Sequence, residues 1–436
     1  MSGPADPDGA GTGQGTENAR ARGAAQPASA SSPSSRAVFR NRDFRLFSGA
    51  RLLSGLALQM QNVGIGWFVY ELTQSAWALG LVGLFAFLPA IAFALVTGQV
   101  ADSFDRRLIV MVAHGTATAA GLGLLACAAF GTGQVWPVYL CAALVGTGRA
   151  FGNPASQAML PNLVPREQFG HAIAWNSSIW QTATISGPAF GGILYALGPA
   201  YVFATAAASF AVAAVLIGLI RPQAVTARRE KVTWETLSAG LSFIRSRPMI
   251  FGAISLDLVA VLLGGATALL PIFAQDILGV GPLGMGLLRS APAVGALGVA
   301  VWLAHRPLER HAGRRMLQSV AVYGVATVAF GLSTSFVLSL ACLAVIGAAD
   351  MVSVVIRQTL VQSDTPDALR GRVAAVNTVF IGASNELGEF ESGTLAALIG
   401  AVPAVVFGGA ATIAVAGFWT RLFPALARRD RLVAAP

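Results

Sequence analysis

The chain has 436 residues, 55% of them hydrophobic and only 11% charged, with a mean hydropathy of +0.66 and a net charge of +9. Soluble globules of this length are not so apolar, and a bilayer is the setting this composition fits. The positive charge does not indicate nucleic acid, because the cations are dispersed between apolar runs and form no basic face.

Residues 1–38 are rich in Gly, Ala, Pro and Ser and offer nothing to bury, so they read as a disordered tail. No apolar core follows the first arginines, so the tail does not read as a secretory signal. A membrane helix needs about 20 mostly apolar residues. Twelve such spans follow, near 46–70, 76–97, 108–130, 135–157, 169–196, 199–220, 249–274, 282–304, 316–333, 336–360, 371–397 and 400–420. Of the 29 Lys and Arg residues, 25 fall in the tails and in alternate loops. The other four, Arg51, Arg149, Arg289 and Arg357, lie within spans, and the opposite loops hold none. This is the positive-inside pattern. It predicts a multi-pass inner (plasma) membrane protein with both termini in the cytoplasm, and it supports the span count independently of hydropathy.

Span one carries Gln59, Gln61 and Asn62, which can bond either a substrate or neighbouring helices. The loop after span two reads GQVADSFDRR, with Gly98, Asp102, Arg106 and Arg107. Gly98 permits close helix approach, Asp102 suits a helix N-terminus, and the two arginines are expected to anchor to headgroups. Span five contains SGPAFGG, with Gly187, Pro188, Gly191 and Gly192. The proline removes a helix hydrogen bond, and the glycines allow backbone-to-backbone packing. Between spans six and seven, Trp234, Leu237, Leu241 and Ile244 share one face of an amphipathic helix, lying on the membrane surface or solvated.

At a shift of 201 residues, Gln157, Pro165, Gly170 and Asn176 meet Gln358, Pro366, Gly371 and Asn377, while Gly187 and Gly192 meet Gly388 and Gly393. The chain therefore reads as two six-span halves in parallel repeat, residues 39–220 and 248–425, joined by the linker 221–247 and followed by a tail, 426–436. Such repeats place a binding site between the halves.

The same offset explains NELGEFESG in span eleven. It is the counterpart of ISGPAFGG, with Glu389 where span five has Pro188 and Glu391 where it has Phe190. A carboxylate in a span is costly and usually functional, and removal from water favours its protonated form. Glu386 and Glu389 share a helix face; Glu391 points elsewhere. Either Glu386 or Glu389 handles a coupling proton, or both are neutralised and serve the fold. Asp257, Asp350, Arg149 and Arg357 are further in-span charges. Arg149 and Asp350 are related by the 201-residue offset and are expected to approach each other across the cavity; the alternative is a local Arg357–Asp350 pair.

The loop GQVADSFDRR and the GPAFGG core resemble signatures of the major facilitator superfamily, the second being associated with its antiporters. The loop departs from the pattern at Ser103 and Asp105, and its second-half counterpart, ERHAGRR with Glu309, is looser. The wider wording (FRLFSGARLLSGLALQMQ, RAFGNPASQAMLPNLVP, GASNELGEFESG) resembles the enterobactin-exporter and macrolide-efflux branch over about residues 38–425. That resemblance implies an all-α membrane protein of twelve transmembrane helices in two pseudo-symmetric halves, a cavity lined by spans one, four, seven and ten, and proton-coupled efflux of amphipathic molecules by alternating access. The expected partners are a small-molecule substrate, protons and the lipid bilayer, with the chain acting as a monomer. A dedicated siderophore or natural-product exporter of the same fold is the alternative. A non-transporting sensor would need a signalling domain that the short loops do not supply. Cys127, Cys141 and Cys342 lie in spans at spacings that fit no metal site or disulfide framework. No GxSxG, HExxH or Walker loop is present, so neither an enzyme nor a bound cofactor is expected.

Overall fold

The computed structural model describes residues 35–93, 96–97, 100, 103–131, 133–221, 234–306, 308, 310–430 and 432. Gly98, Asp102 and Glu309, and the tail through residue 34, lie outside the described residues.

Long helices follow the apolar runs, because inside a bilayer only intra-helical hydrogen bonds satisfy the backbone. The first six are α1 (Arg42–Thr73), α2 (Ala76–Ala92), α3 (Arg106–Phe130), α4 (Trp136–Met159), α5 (Phe169–Leu197) and α6 (Pro199–Gly218). A linker helix, Trp234–Ser246, leads to α7 (Pro248–Leu263), α8 (Gly281–His305), α9 (Ala312–Leu332), α10 (Phe336–Ser363), α11 (Asp367–Ile399) and α12 (Ala401–Leu422). Among the described residues, seven helices are long and apolar enough to cross a membrane by length and composition alone. The shortfall has a physical cause: α2 has 17 residues, and α1, α4, α5 and α11 carry polar and charged side chains that make them less apolar.

Caps set the helix starts. Asn41 accepts from the Asp43 N–H at 3.0 Å, and Asp105 accepts from the Arg107 N–H at 3.0 Å. Arg106 donates to the Ala158 carbonyl at 3.2 Å, and Arg107 donates to the Gly218 carbonyl. The expected headgroup anchors are thus tied inward, because the ends of α4 and α6 present carbonyls with no helical partner.

Within the first half α1 packs on α5 and α6, and α3 packs on α4 and α6; in the second half α9 packs on α10 and α12. The halves meet along two seams, α5 against α8 and α2 against α11. Glycine makes both seams possible. A Cβ on Gly192 would lie 2.5 Å from the Pro282 carbonyl oxygen, and one on Gly393 would lie 2.6 Å from the Gly80 Cα. The other motif glycines pack within their own halves. A Cβ on Gly187 would stand 2.6 Å from the Gln59 Cβ on α1, and one on Gly388 would stand 2.9 Å from the Val261 carbonyl oxygen on α7. The 201-residue repeat is therefore a repeat of packing duties.

Span seven is not the single helix expected over 249–274. It breaks at Gly264–Gly265, passes through a 3₁₀ turn, and ends in a π-turn at Phe273–Ile277. A Cβ at Gly265 would stand 2.5 Å from the Gly388 carbonyl oxygen, so the break lets α11 approach. The linker helix also departs from a simple surface helix. Ile244 is buried with Ile250, Val361 and Val373, whereas Leu241 is exposed. Burial against the second half satisfies Ile244 better than a headgroup layer; the side chains of Trp234 and Leu237 lie outside the described residues.

On the side away from the termini, one apolar cluster joins both halves, from Trp67, Val138 and Phe203 to Phe273, Leu288 and Phe330. There Tyr70 donates to the Asp276 carboxylate across the halves, and Tyr195 donates to Glu71 at 2.7 Å. Towards the termini the clusters separate, Phe44, Ile109 and Ile217 in the first half and Leu256, Met316 and Leu360 in the second. Among the described residues no apolar cluster bridges the halves on that side.

The α5–α8 seam makes a direct prediction. Gly192→Ala should destabilise the protein by about 1–3 kcal/mol through overpacking, read as a lower unfolding temperature in detergent. Gly170→Ala, where a Cβ meets nothing within 4 Å, should not.

Candidate functional site

α1 presents Gln59 and Asn62 on one face, since residues three apart in a helix align. Both line a cavity of about 250 Å³ with Arg51, His114, Arg149 and Trp180. Gln61 lies on another face. It is 1% exposed in the first half's core, and neither of its amide atoms has a hydrogen-bond partner. It is therefore removed from the substrate-facing set.

A smaller cavity of about 90 Å³ adjoins the first and shares Asn62, Arg149 and Glu386 with it. It adds Gly83, Arg289 and Glu389. Here the acids of α11 take their places. Arg149 Nη1 donates to Glu386 Oε1 at 3.1 Å. This pair crosses from the first half to the second. Glu389 Oε1 stands 3.9 Å from Arg289 Nη2 of α8. Its side chain lies over α2, where a Cβ on Gly83 would come within 3.0 Å of the Glu389 Cβ. Glu391 is turned away from both cavities, within 3.4 Å of the Ser392 hydroxyl.

The expected approach of Arg149 to Asp350 is not found. The equivalence of positions 149 and 350 does not extend to their neighbours, because Arg149 meets the acids of α11, which have no counterpart in α5. Arg357 is also not a cavity charge. It is 2% exposed and pairs with Asp257 of α7 at 2.8 Å, in place of the expected local pair with Asp350. Asp350 lies within electrostatic reach of both members of that pair. Neither of these two cavities is lined by α10, and only the smaller is reached by span seven, through Ala268 and Pro271 beyond the end of α7. α1 and α4 supply most of the larger cavity's wall, and α3, α5 and α6 complete it.

Arg289, Trp180 and His114 gain roles that sequence reasoning had not given them. For Arg289 the signal was present, since any in-span arginine asks for a partner. For Trp180 and His114 there was none, because an aromatic ring in an apolar run looks like packing.

Residues 33–431 match the family described as transmembrane secretion effector, one branch of the major facilitator superfamily. The chain belongs to this family. Among curated relatives, the enterobactin exporter EntS of Citrobacter koseri is 29% identical over 383 residues, 86% of this chain and 88% of that protein. The enterobactin exporter EntS of Shigella dysenteriae serotype 1 is 27% identical over 332 residues, 76% of this chain and 79% of that protein. Solved structures share the fold at low identity. The nucleoside transporter NupG has a TM-score of 0.67 at 14% identity, covering 87% of this chain and 99% of that one. A D-xylose–proton symporter has a TM-score of 0.68 at 15% identity, covering 88% and 98%. A bacterial homologue of ferroportin in an inward-facing state has a TM-score of 0.66 at 16% identity, covering 89% and 99%. This secretion effector is thus a multi-pass membrane transporter of the exporter type and not an enzyme.

The buried Arg357–Asp257 pair can be tested by stability. Asp257→Asn strands a buried guanidinium and should cost about 3–5 kcal/mol, whereas Asp257→Leu with Arg357→Met should recover most of that loss. Thermal unfolding in detergent reads both. A double variant as unstable as the single would show that the pairing is not what holds α7 to α10.

Proposed function

We propose that this transporter exports amphipathic, drug-like small molecules from the cytoplasm by proton antiport and alternating access, acting as a monomer in the inner membrane with both termini cytoplasmic. The observation that carries the reading is the Arg149–Glu386 pair, which ties the two halves together at the junction of the two cavities. The positive-inside distribution supports the orientation, and on that orientation the separated clusters near the termini favour a cytoplasm-open state.

The geometry supports the following coupling. With Glu386 ionised, its bond to Arg149 holds the halves in one arrangement. A proton on Glu386 removes the charge that Arg149 answers, and the halves are free to rock about the glycine seams. Glu389, beside Arg289 and against α2, exchanges its proton as the α2–α11 seam moves. A substrate in the larger cavity touches the same Arg149, so substrate and proton act on one group. Each inward proton contributes about 2.3 kcal/mol per 100 mV, enough for a tenfold gradient at about 1.4 kcal/mol. The buried Asp257, Asp350 and Arg357 group is a second place where a proton can reside. The loop residues Arg106 and Arg107, together with Gly98 and Asp102, gate the cytoplasmic opening.

A second reading, a dedicated siderophore or natural-product exporter, is favoured by the relatives that are enterobactin exporters.

Glu389→Gln should express normally and still bind compounds, yet lose proton-driven export. Proteoliposomes with a pH-sensitive dye and a panel of amphipathic antibiotics, dyes and siderophores measure this. Substrate-evoked proton release is expected from wild type and at least tenfold less from the variant. Equal release from both would take Glu389 out of the coupling.

A further inference from the structure

Four arginines lie inside the spans, and three have a carboxylate. Arg149 has Glu386 at 3.1 Å, Arg289 has Glu389 at 3.9 Å, and Arg357 has Asp257 at 2.8 Å. Among the described residues, Arg51 has no carboxylate and no hydrogen-bond acceptor for its side chain, and its Nε is buried without a partner. It sits ten residues into α1, on the wall of the larger cavity. Its guanidinium carbon lies 4.6 Å from the centre of the Trp180 ring.

A guanidinium partly removed from water inside a membrane span is costly unless an anion answers it. A ring face answers it in part, through the quadrupole, and fixes where it sits. The ring accepts none of the in-plane N–H donors, and those donors form the fork that fits an oxyanion. The other titratable groups on the cavity wall are His114, Arg149 and Glu386. Arg149 and Glu386 cancel each other, so the wall holds one unanswered positive charge. Around it stand Phe47, Leu58, Phe210 and Trp180, apolar surface suited to a flat ring. His114, stacked near Phe210 at 6.4 Å, lies within electrostatic reach of Arg51 and brings no negative charge.

We propose that Arg51, fixed by Trp180, is the docking point for an aryl anion, a carboxylate or phenolate borne on an aromatic ring, and that the exported molecules are of this class. The proposal rests on the exporter reading above and narrows it. It assigns selectivity to α1 and α5 of the first half, apart from the acids of α11.

The test separates binding from transport. Isothermal titration of the purified full chain in detergent uses three probes of one shape: 1-naphthoate, neutral 1-naphthamide and cationic 1-naphthylmethylammonium. Wild type should bind the naphthoate at least tenfold more tightly than the amide, and the ammonium most weakly. Arg51→Gln should remove the preference and leave the amide's affinity within about twofold. Arg51→Lys, which keeps the charge and loses the fork, should fall between. No naphthoate binding, equal binding of the three probes, or an undiminished preference in folded Arg51→Gln overturns the proposal. The wild-type series alone suffices if the variants do not fold. Efflux of naphthoate and of ethidium from wild-type proteoliposomes distinguishes the two readings. Selective binding without efflux of either compound leaves the docking site standing and removes the exporter mechanism. Efflux of both compounds without a preference for the anion leaves export standing and removes the docking site.

Discussion

Two backbone contacts set how closely the two halves of this molecule approach each other. At Gly192 and Gly393 there is no room for a side chain, because a helix of the other half lies in the place of a Cβ. Lipid tails are as apolar as the helices, so burial of apolar surface does not drive these helices together; dispersion at close approach does. Glycine gives the closest approach available. It also gives a smooth surface, across which one half can roll against the other without unlocking interdigitated side chains. The smaller cavity lies where the halves face each other, and the larger one opens beside it among the helices of the first half.

Charge is the second constraint, and it depends on the first. An ion in a span must find its partner within a few ångströms, and the packing decides which partner is in reach. The α2–α11 seam brings the acids of α11 to the boundary between halves, where Arg149 of α4 meets Glu386. In the second half, α10 turns Arg357 inward to Asp257. The first is a contact between bodies and the second lies within one body. Only the first is necessarily broken or remade when the halves move. Arg357 and Asp257 therefore bind α7 to α10 within one half, while Arg149 and Glu386 stand at the boundary between the halves.

The sequence shows the spans, the parallel repeat and the motif glycines clearly, since hydropathy, basic-residue sidedness and a constant offset are local or periodic signals. Pairing was far less legible. The order in which helices sit side by side is absent from any window of sequence, and Arg149 is 237 residues from Glu386. Pseudo-symmetry pointed to Asp350 because it assumes that equivalent positions have equivalent surroundings. The Pro188 and Glu389 exchange had already broken that assumption. The interruption at Gly264–Gly265 was hidden for a similar reason. Two glycines in an apolar run are compatible with a continuous helix until α11 is pressed against them. Gln61 was misplaced by proximity to Gln59 and Asn62, although a shift of one or two residues turns a helix face by about 100° or 200°.

The exchange of Pro188 for Glu389 also divides stiffness between the halves. A proline inside α5 removes one rung of its hydrogen-bond ladder, so that helix has a compliant point opposite α8. Glutamate at the matching place leaves the ladder of the 33-residue α11 whole. α5 can therefore flex where it touches its neighbour, while α11 transmits displacement along an unbroken rod. A load applied at one end of α11 reaches the other end, some 50 Å away at about 1.5 Å per residue, with little lost to bending. The same load on α5 meets the missing rung at Pro188. The two matched helices, α5 and α11, thus differ as spring and lever.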